Sequence, residues 1–132
     1  MFPPQSYTKY ILYKAVLDKI DSLYGKHTTV STLTFVTIKA FFEDLGLNCT
    51  PTELYVKNDT ISAEFRNDAI ASVLTLNFCG DKIGYEHKTG HSHMTGEEYF
   101  TGNVSAYLLD LIDSVVFPYA ENEPTPQGEE NV

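Results

Sequence analysis

Between Glu53 and Lys88 the apolar residues recur at every second position, and this one pattern constrains the fold more than any other. Leu54 and Val56 alternate with Tyr55 and Lys57, and Asn58-Asp59 supplies a turn. Ile61, Ala63 and Phe65 then point one way while Thr60, Ser62 and Glu64 point the other. After the turn at Arg66-Asn67-Asp68 a second alternating run holds Ile70, Ser72, Leu74, Leu76 and Phe78. Gly80-Asp81 turns again before Ile83, Tyr85 and His87. Strand side chains alternate between the two faces of a sheet, so this spacing predicts a four-stranded antiparallel meander with one face wet. The apolar face of such a sheet must be covered, and helices are the only cover this sequence offers.

Three segments have helical spacing. In residues 6–24, Tyr13, Val16, Leu17, Ile20, Leu23 and Tyr24 form a stripe; Ser6 can cap the start and Gly25 suits the stop. Lys14 and Asp18 form an i,i+4 pair on the other side. Residues 28–46 are rich in β-branched side chains, which favour strand. Phe35, Ile38, Phe42 and Leu45 nevertheless recur at 3-4-3 spacing before Gly46, and the period predicts a helix from Ser31 to Leu45. Residues 103–117 repeat Val104, Tyr107, Leu108, Leu111, Ile112, Val115 and Val116, with Asn103 as the cap and Pro118 as the stop. The predicted class is α+β: two N-terminal helices, a four-stranded antiparallel meander and a C-terminal helix packed on the sheet. It forms a single domain over residues 1–120, followed by a disordered acidic tail over residues 121–132.

Composition narrows the function classes. The chain has 132 residues, enough to bury a self-sufficient core, and its 42% hydrophobic content is that of a globular domain. No apolar run reaches the roughly eighteen residues of a membrane span, and MFPPQSYTKY lacks the basic-then-apolar pattern of a signal peptide. Cys49 and Cys79 fall outside any C-x-x-C pattern and read as two thiols in a reducing, cytoplasmic compartment, with a disulfide between them as the alternative.

The net charge is −9, and it is unevenly placed. Residues 1–66 carry seven basic and seven acidic groups, whereas residues 67–132 carry Lys82 and Lys88 against eleven acids. Phosphate-backbone binding needs clustered cations, so direct nucleic-acid binding by the second half is disfavoured. A helix-turn-helix built from residues 6–24 and 31–45 would have only Lys39 on its second helix, too little for a groove reader.

The stretch YEHKTGHSHMTGEEYF holds three of the four histidines. His87, His91 and His93 with Glu97 make an alternative zinc set, since three imidazoles and a carboxylate suit that ion. The competing expectation is a loop that starts a helical turn, because Thr95 followed by Glu98 matches a capping box. His27-Thr28-Thr29 and His87-Lys88-Thr89 each read H-x-T, and the pair resembles the H-x-T/S signature of the 2H phosphoesterases. That resemblance implies His27 and His87 as general base and acid on a phosphodiester, with Thr29 and Thr89 holding the phosphate. The flanks, YGK and GYE, depart from the apolar strand residues of that family. There is no G-x-S-x-G and no Gly-rich phosphate loop.

The leading expectation is therefore a small acidic protein without catalytic chemistry or cofactor. It docks as monomer or homodimer onto a protein partner, such as a nucleic-acid-handling enzyme or a secreted effector, and regulates or inhibits it. Nine tyrosines support this, because a Tyr ring packs while its hydroxyl stays wet. The alternative is a nucleic-acid mimic of the viral accessory kind, with carboxylates standing in for phosphates in a basic groove. Candidate partner-binding residues are Glu86, Glu97, Glu98, Asp110, Asp113 and Tyr99. One expected outcome follows from composition alone. A chain ending at Ala120 keeps its melting temperature within a few degrees, measured by circular dichroism, because a polar acidic tail buries little. A large drop would show that the tail packs.

Overall fold

The computed structural model describes residues 4–24, 26, 29–46 and 50–116, with side chains from Tyr13 onward. The predicted tail, Pro118, Cys49, His27 and Thr28 lie outside the described residues. Two helices come first, α1 (Pro4–Tyr24) and α2 (Thr32–Leu45). They are followed by strands β1 (Glu53–Lys57), β2 (Thr60–Asn67), β3 (Ser72–Cys79), β4 (Lys82–Lys88) and β5 (His93–Tyr99), and by α3 (Ala106–Val116). The class is α+β as expected, and the strands form one antiparallel sheet in the order β1-β2-β3-β4-β5.

The sheet has five strands where the sequence predicts four. β5 is made of HMTGEEY, the segment read as a loop and a capping box. Five of its seven residues are exposed, so it has almost nothing to bury and shows no apolar alternation. Thr95 and Glu98 do not cap a helical turn. They sit opposite Glu86 and Ile83 in the β4–β5 register. Gly96 lies opposite Tyr85, whose ring occupies the space that a Cβ at position 96 would need. The Gly that reads as a loop residue is what lets the aromatic ring lie across the edge strand.

The other strands follow the predicted turns. Asn58, at φ 60°, turns β1 into β2, and Gly80, at φ 62°, turns β3 into β4; both are residue types that tolerate the left-handed region. The third turn differs. A short 3-10 turn over Asp68–Ile70 takes up Ile70, which is exposed instead of belonging to the apolar face of β3.

All three helices contact the sheet from its apolar side. Ser31 caps α2, its hydroxyl accepting the Thr34 N–H at 3.2 Å. Gly46, at φ 72°, ends it and returns its N–H to the Phe42 carbonyl. Period outranked β-propensity here because Phe35, Ile38, Phe41, Phe42 and Leu45 are all buried. Phe41 stands edge-on to Phe42 and to Phe78, each at 5.2 Å between ring centroids, and Phe42 reaches Phe65 at 6.5 Å. The Thr34 hydroxyl also accepts the Gly80 N–H at 2.7 Å, which ties the start of α2 to the β3–β4 turn.

The last helix starts at Ala106, later than predicted. Ser105 accepts the Leu108 N–H through its hydroxyl at 3.1 Å and so takes the capping role assigned to Asn103. Asn103 instead donates to Asp44 at 3.3 Å, and the Val104 N–H donates to the other Asp44 oxygen at 2.8 Å. That carboxylate joins the end of α2 to the approach to α3. Leu108, Ile112 and Val115 are buried against the sheet, while Tyr107 flanks the stripe and is half-exposed.

Phe41 is the hub of this packing. Phe41→Ala removes a fully buried ring, so it should cost about 3–5 kcal/mol in chemical denaturation, whereas Val36→Ala on the exposed side of α2 should cost less than about 1 kcal/mol. Equal effects would place Phe41 outside the core.

Candidate functional site

With all helices on the apolar side, the other face of the sheet is open among the described residues. Its polar row structure follows from strand register. Tyr55, Ser62, Asn77 and Gly84 stand side by side across β1 to β4. Glu53, Glu64, Thr75, Glu86 and Thr95 form the next row, across all five strands. The shorter side chains of Ser62, Val73, Thr75 and Asn77 form the floor, and longer side chains around them leave a trough of about 350 Å³. Tyr55, Lys57, Arg66, Glu86 and Lys88 stand among its walls. Ser62 is only 1% exposed, and its hydroxyl donates to the Asn77 side-chain Oδ1 at 2.6 Å, which fixes the floor.

Opposite charges are paired across this face. Arg66 Nη2 lies 2.6 Å from Glu64 Oε2, and Nη1 lies 3.7 Å from Asp68. The hydrogen bond to Glu64, with its charge, holds the guanidinium more firmly protonated than usual. His93 Nε2 is 2.6 Å from Glu86 Oε2, which Lys88 also approaches at 3.8 Å. Lys82 lies 3.6 Å from Glu97. The local field of the trough is thus far more balanced than the net charge of the chain implies.

The sequence-predicted partner-binding residues divide between surfaces. Glu86, Glu97 and Tyr99 belong to the open face, and the Tyr99 ring is 64% exposed. Glu98 sits on the other side of β5, opposite Ile83. Asp110 and Asp113 are on α3. The six do not make one patch. Ser62, Glu64, Arg66, Thr75 and Asn77, which build the trough, were absent from the predicted set. Their signal is the polar phase of the alternation, which marks a wet face without showing that its centre is recessed.

The histidines separate. His87 is on the apolar side of β4, opposite Leu74 on one side and Met94 on the other. His93 is on the open face, and His91 is exposed in the β4–β5 hairpin, where Thr89 and Ser92 close the turn through their hydroxyls at 2.8 Å. Glu97 lies four residues beyond His93 and faces Lys82. Alternation puts His87 on the opposite face from His93 and Glu97, His93 and Glu97 stand four extended positions apart, and His91 stands in the hairpin, so the four do not converge as a zinc set. Among the described residues no group of three or more metal-ligating side chains stands together. Of the H-x-T pairs, His87 bonds the buried Ser72 hydroxyl at 2.9 Å and Thr89 is engaged in the hairpin turn. Neither points into the trough. Burial lowers the His87 pKa below the usual imidazole value.

A smaller groove of about 220 Å³ runs between α1 and α2 beside Tyr24, Phe35 and Val36. No helix among the described residues is long and apolar enough to cross a membrane. Comparison with protein-family models, with characterised proteins and with solved structures gives no match for this chain.

The His87 environment has a consequence for stability. Protonation favours the unfolded chain, whose imidazole titrates near about 6.5, over the folded one, whose pKa is lower. The contribution is fully present above that value and is lost as pH falls below it toward the folded pKa. Denaturation midpoints should therefore drop between about pH 7.5 and pH 5.5, and His87→Gln should flatten that slope. An unchanged slope would assign the pH dependence to other groups.

Proposed function

We propose that this chain is a small acidic binding protein that docks onto a protein partner through the open face of its sheet and regulates or inhibits that partner. The observation that carries the reading is a five-stranded sheet with all described helices on one side and a recessed, ordered polar trough on the other. A solvated face needs no fixed floor, yet here Ser62 and Asn77 are locked together, and Tyr55 and Tyr99 stand on the same face. Aromatic side chains beside satisfied polar groups are the anatomy of a protein interface, with rings as anchors and paired charges setting register.

The pairing of charges weighs against mimicry of nucleic acid. A phosphate mimic needs carboxylates whose field reaches a basic groove, and Glu86 and Glu97 face Lys88, His93 and Lys82 instead. Phosphodiesterase chemistry is weaker still as a reading, because His87 is turned into the apolar side.

The test is a comparison of variants on captured partners. Thr75→Arg, which fills the centre of the trough, and Tyr99→Ser should each weaken the dominant partner at least about tenfold, or about 1.4 kcal/mol. Joint Glu97→Gln, Glu98→Gln, Asp110→Asn and Asp113→Asn neutralisation should change affinity less than about tenfold. So should raising salt from about 50 to about 500 mM. A loss of several hundredfold in salt, mostly in the on-rate and reproduced by the neutralisations, would establish mimicry in place of a packed interface.

A further inference from the structure

The two edges of the sheet are built differently. β1 has five residues, follows Pro51, carries Lys57, and packs beside Ala15, Val16 and Lys19 of α1. These are the devices that keep a sheet edge from pairing: shortness, proline, lysine and cover. β5 has seven residues without Pro, Lys or Arg, and five of them are exposed. Its outer row of N–H and C=O groups is open among the described residues, because β5 is the last strand of the sheet.

We propose that β5 is a pairing edge for a second copy of this chain, joining two sheets into one antiparallel ten-stranded sheet. The sequence of the strand is self-complementary in one register. Antiparallel pairing about a two-fold axis puts residues of the same face opposite each other, so the register must centre on a single residue. Centred on Thr95, it sets His93 opposite Glu97 of the other copy, twice by symmetry, and Thr95 opposite Thr95. Opposite-charge and Thr–Thr pairs are both favourable across strands. When the His93 imidazole is protonated both its nitrogens donate, Nε2 to Glu86 of its own copy and Nδ1 to the incoming carboxylate. On the other face, Met94 comes opposite Gly96 of the second copy. Gly96 has no side chain to obstruct it, and the Tyr85 ring lies over that glycine, so Met94, whose sulfur accepts the Tyr107 hydroxyl of its own copy at 3.3 Å, comes beside a second aromatic ring. Centring on Glu97 instead would oppose Glu97 to itself, which is unfavourable.

The contact is short, so the dimer is weak and in exchange with monomer. Five to seven paired residues bury far less than the roughly 1,600 Å² of a standard interface, which sets a Kd on the order of 10–500 μM. This inference rests on the β5 edge and is independent of the partner reading for the open face.

Sedimentation equilibrium of the full chain under reducing conditions, from about 10 μM to about 1 mM, should show monomer and dimer in exchange at that strength. Reductant excludes dimers linked through the exposed Cys79. Amide hydrogen exchange in residues 93–97 should slow as concentration rises. Thr95→Lys places a cation beside Glu86 within one copy, so the monomer stays folded, but it opposes two cations at the two-fold axis. It should weaken dimerisation at least about tenfold, while Thr95→Val leaves it intact. A chain that is monomeric at about 1 mM overturns the proposal. So does a dimer whose added protection lies on other strands, or one that Thr95→Lys leaves unchanged or tightens.

Discussion

The packing of Phe41 and Phe42 against Phe65 and Phe78 decides which side of the sheet is inside. Strand register has a period of two, so a side chain that faces these rings commits its neighbours to the opposite face. Once Phe65 and Phe78 point to α2, Glu64, Arg66 and Asn77 must point to water. The trough is in this sense a by-product of the core. Its residues could not be moved to the interior without turning the rings out. α3 strengthens the same choice: Asn67 donates to the Val115 carbonyl at 2.8 Å, and Asp44 holds the approach to the helix at Val104.

Where burial produced a period, the sequence was legible. The α2 boundaries, the first four strands and two of their turns were all readable because Phe35, Ile38, Leu74, Leu76 and Phe78 recur at fixed steps and are buried. β5 was not readable, for a physical reason. An edge strand that covers little needs no apolar alternation, and Gly96 is required by Tyr85 from the neighbouring strand, a constraint invisible along the chain. Asn103 and Ser105 are both plausible caps by type; only the position of Asp44 distinguishes them. The candidate site was legible as a wet face and no further. Recession comes from shorter residues brought together from neighbouring strands, Ser62 of β2 with Val73, Thr75 and Asn77 of β3, and that grouping depends on register.

Net charge was a poor guide to local field. The excess of acids in residues 67–132 suggested a negative surface, yet every carboxylate in the middle of the open face has a cationic neighbour. Glu64 pairs with Arg66, Glu86 with Lys88 and His93, and Glu97 with Lys82. Glu64 shows how this comes about. Its side chain is only 13% exposed, and a carboxylate so enclosed needs a partner close by. The surplus acids sit elsewhere: Asp81 in the β3–β4 turn, Glu98 on the other side of β5, Asp110 and Asp113 on α3, and Glu121, Glu123, Glu129 and Glu130 outside the described residues. Their effect is on solubility and on long-range approach, not on the chemistry of the trough.

Face and edge make different demands on a partner. A sheet face recognises through side chains, so its specificity lies in the fit of rings and paired charges, and a one-residue change can remove it. An edge recognises through the backbone, which every chain carries, and gains specificity only from the residues that alternate beside it. β1 answers this hazard with Pro51, Lys57 and the cover of α1, whereas β5 has no cover and relies on its acidic pair. Glu97 and Glu98 lie on opposite faces of that strand, so an approaching strand meets a carboxylate on either side. A foreign strand that brings a carboxylate opposite either one is disfavoured. In the pairing proposed for β5 the strand meets this demand itself, because His93 of one copy stands opposite Glu97 of the other.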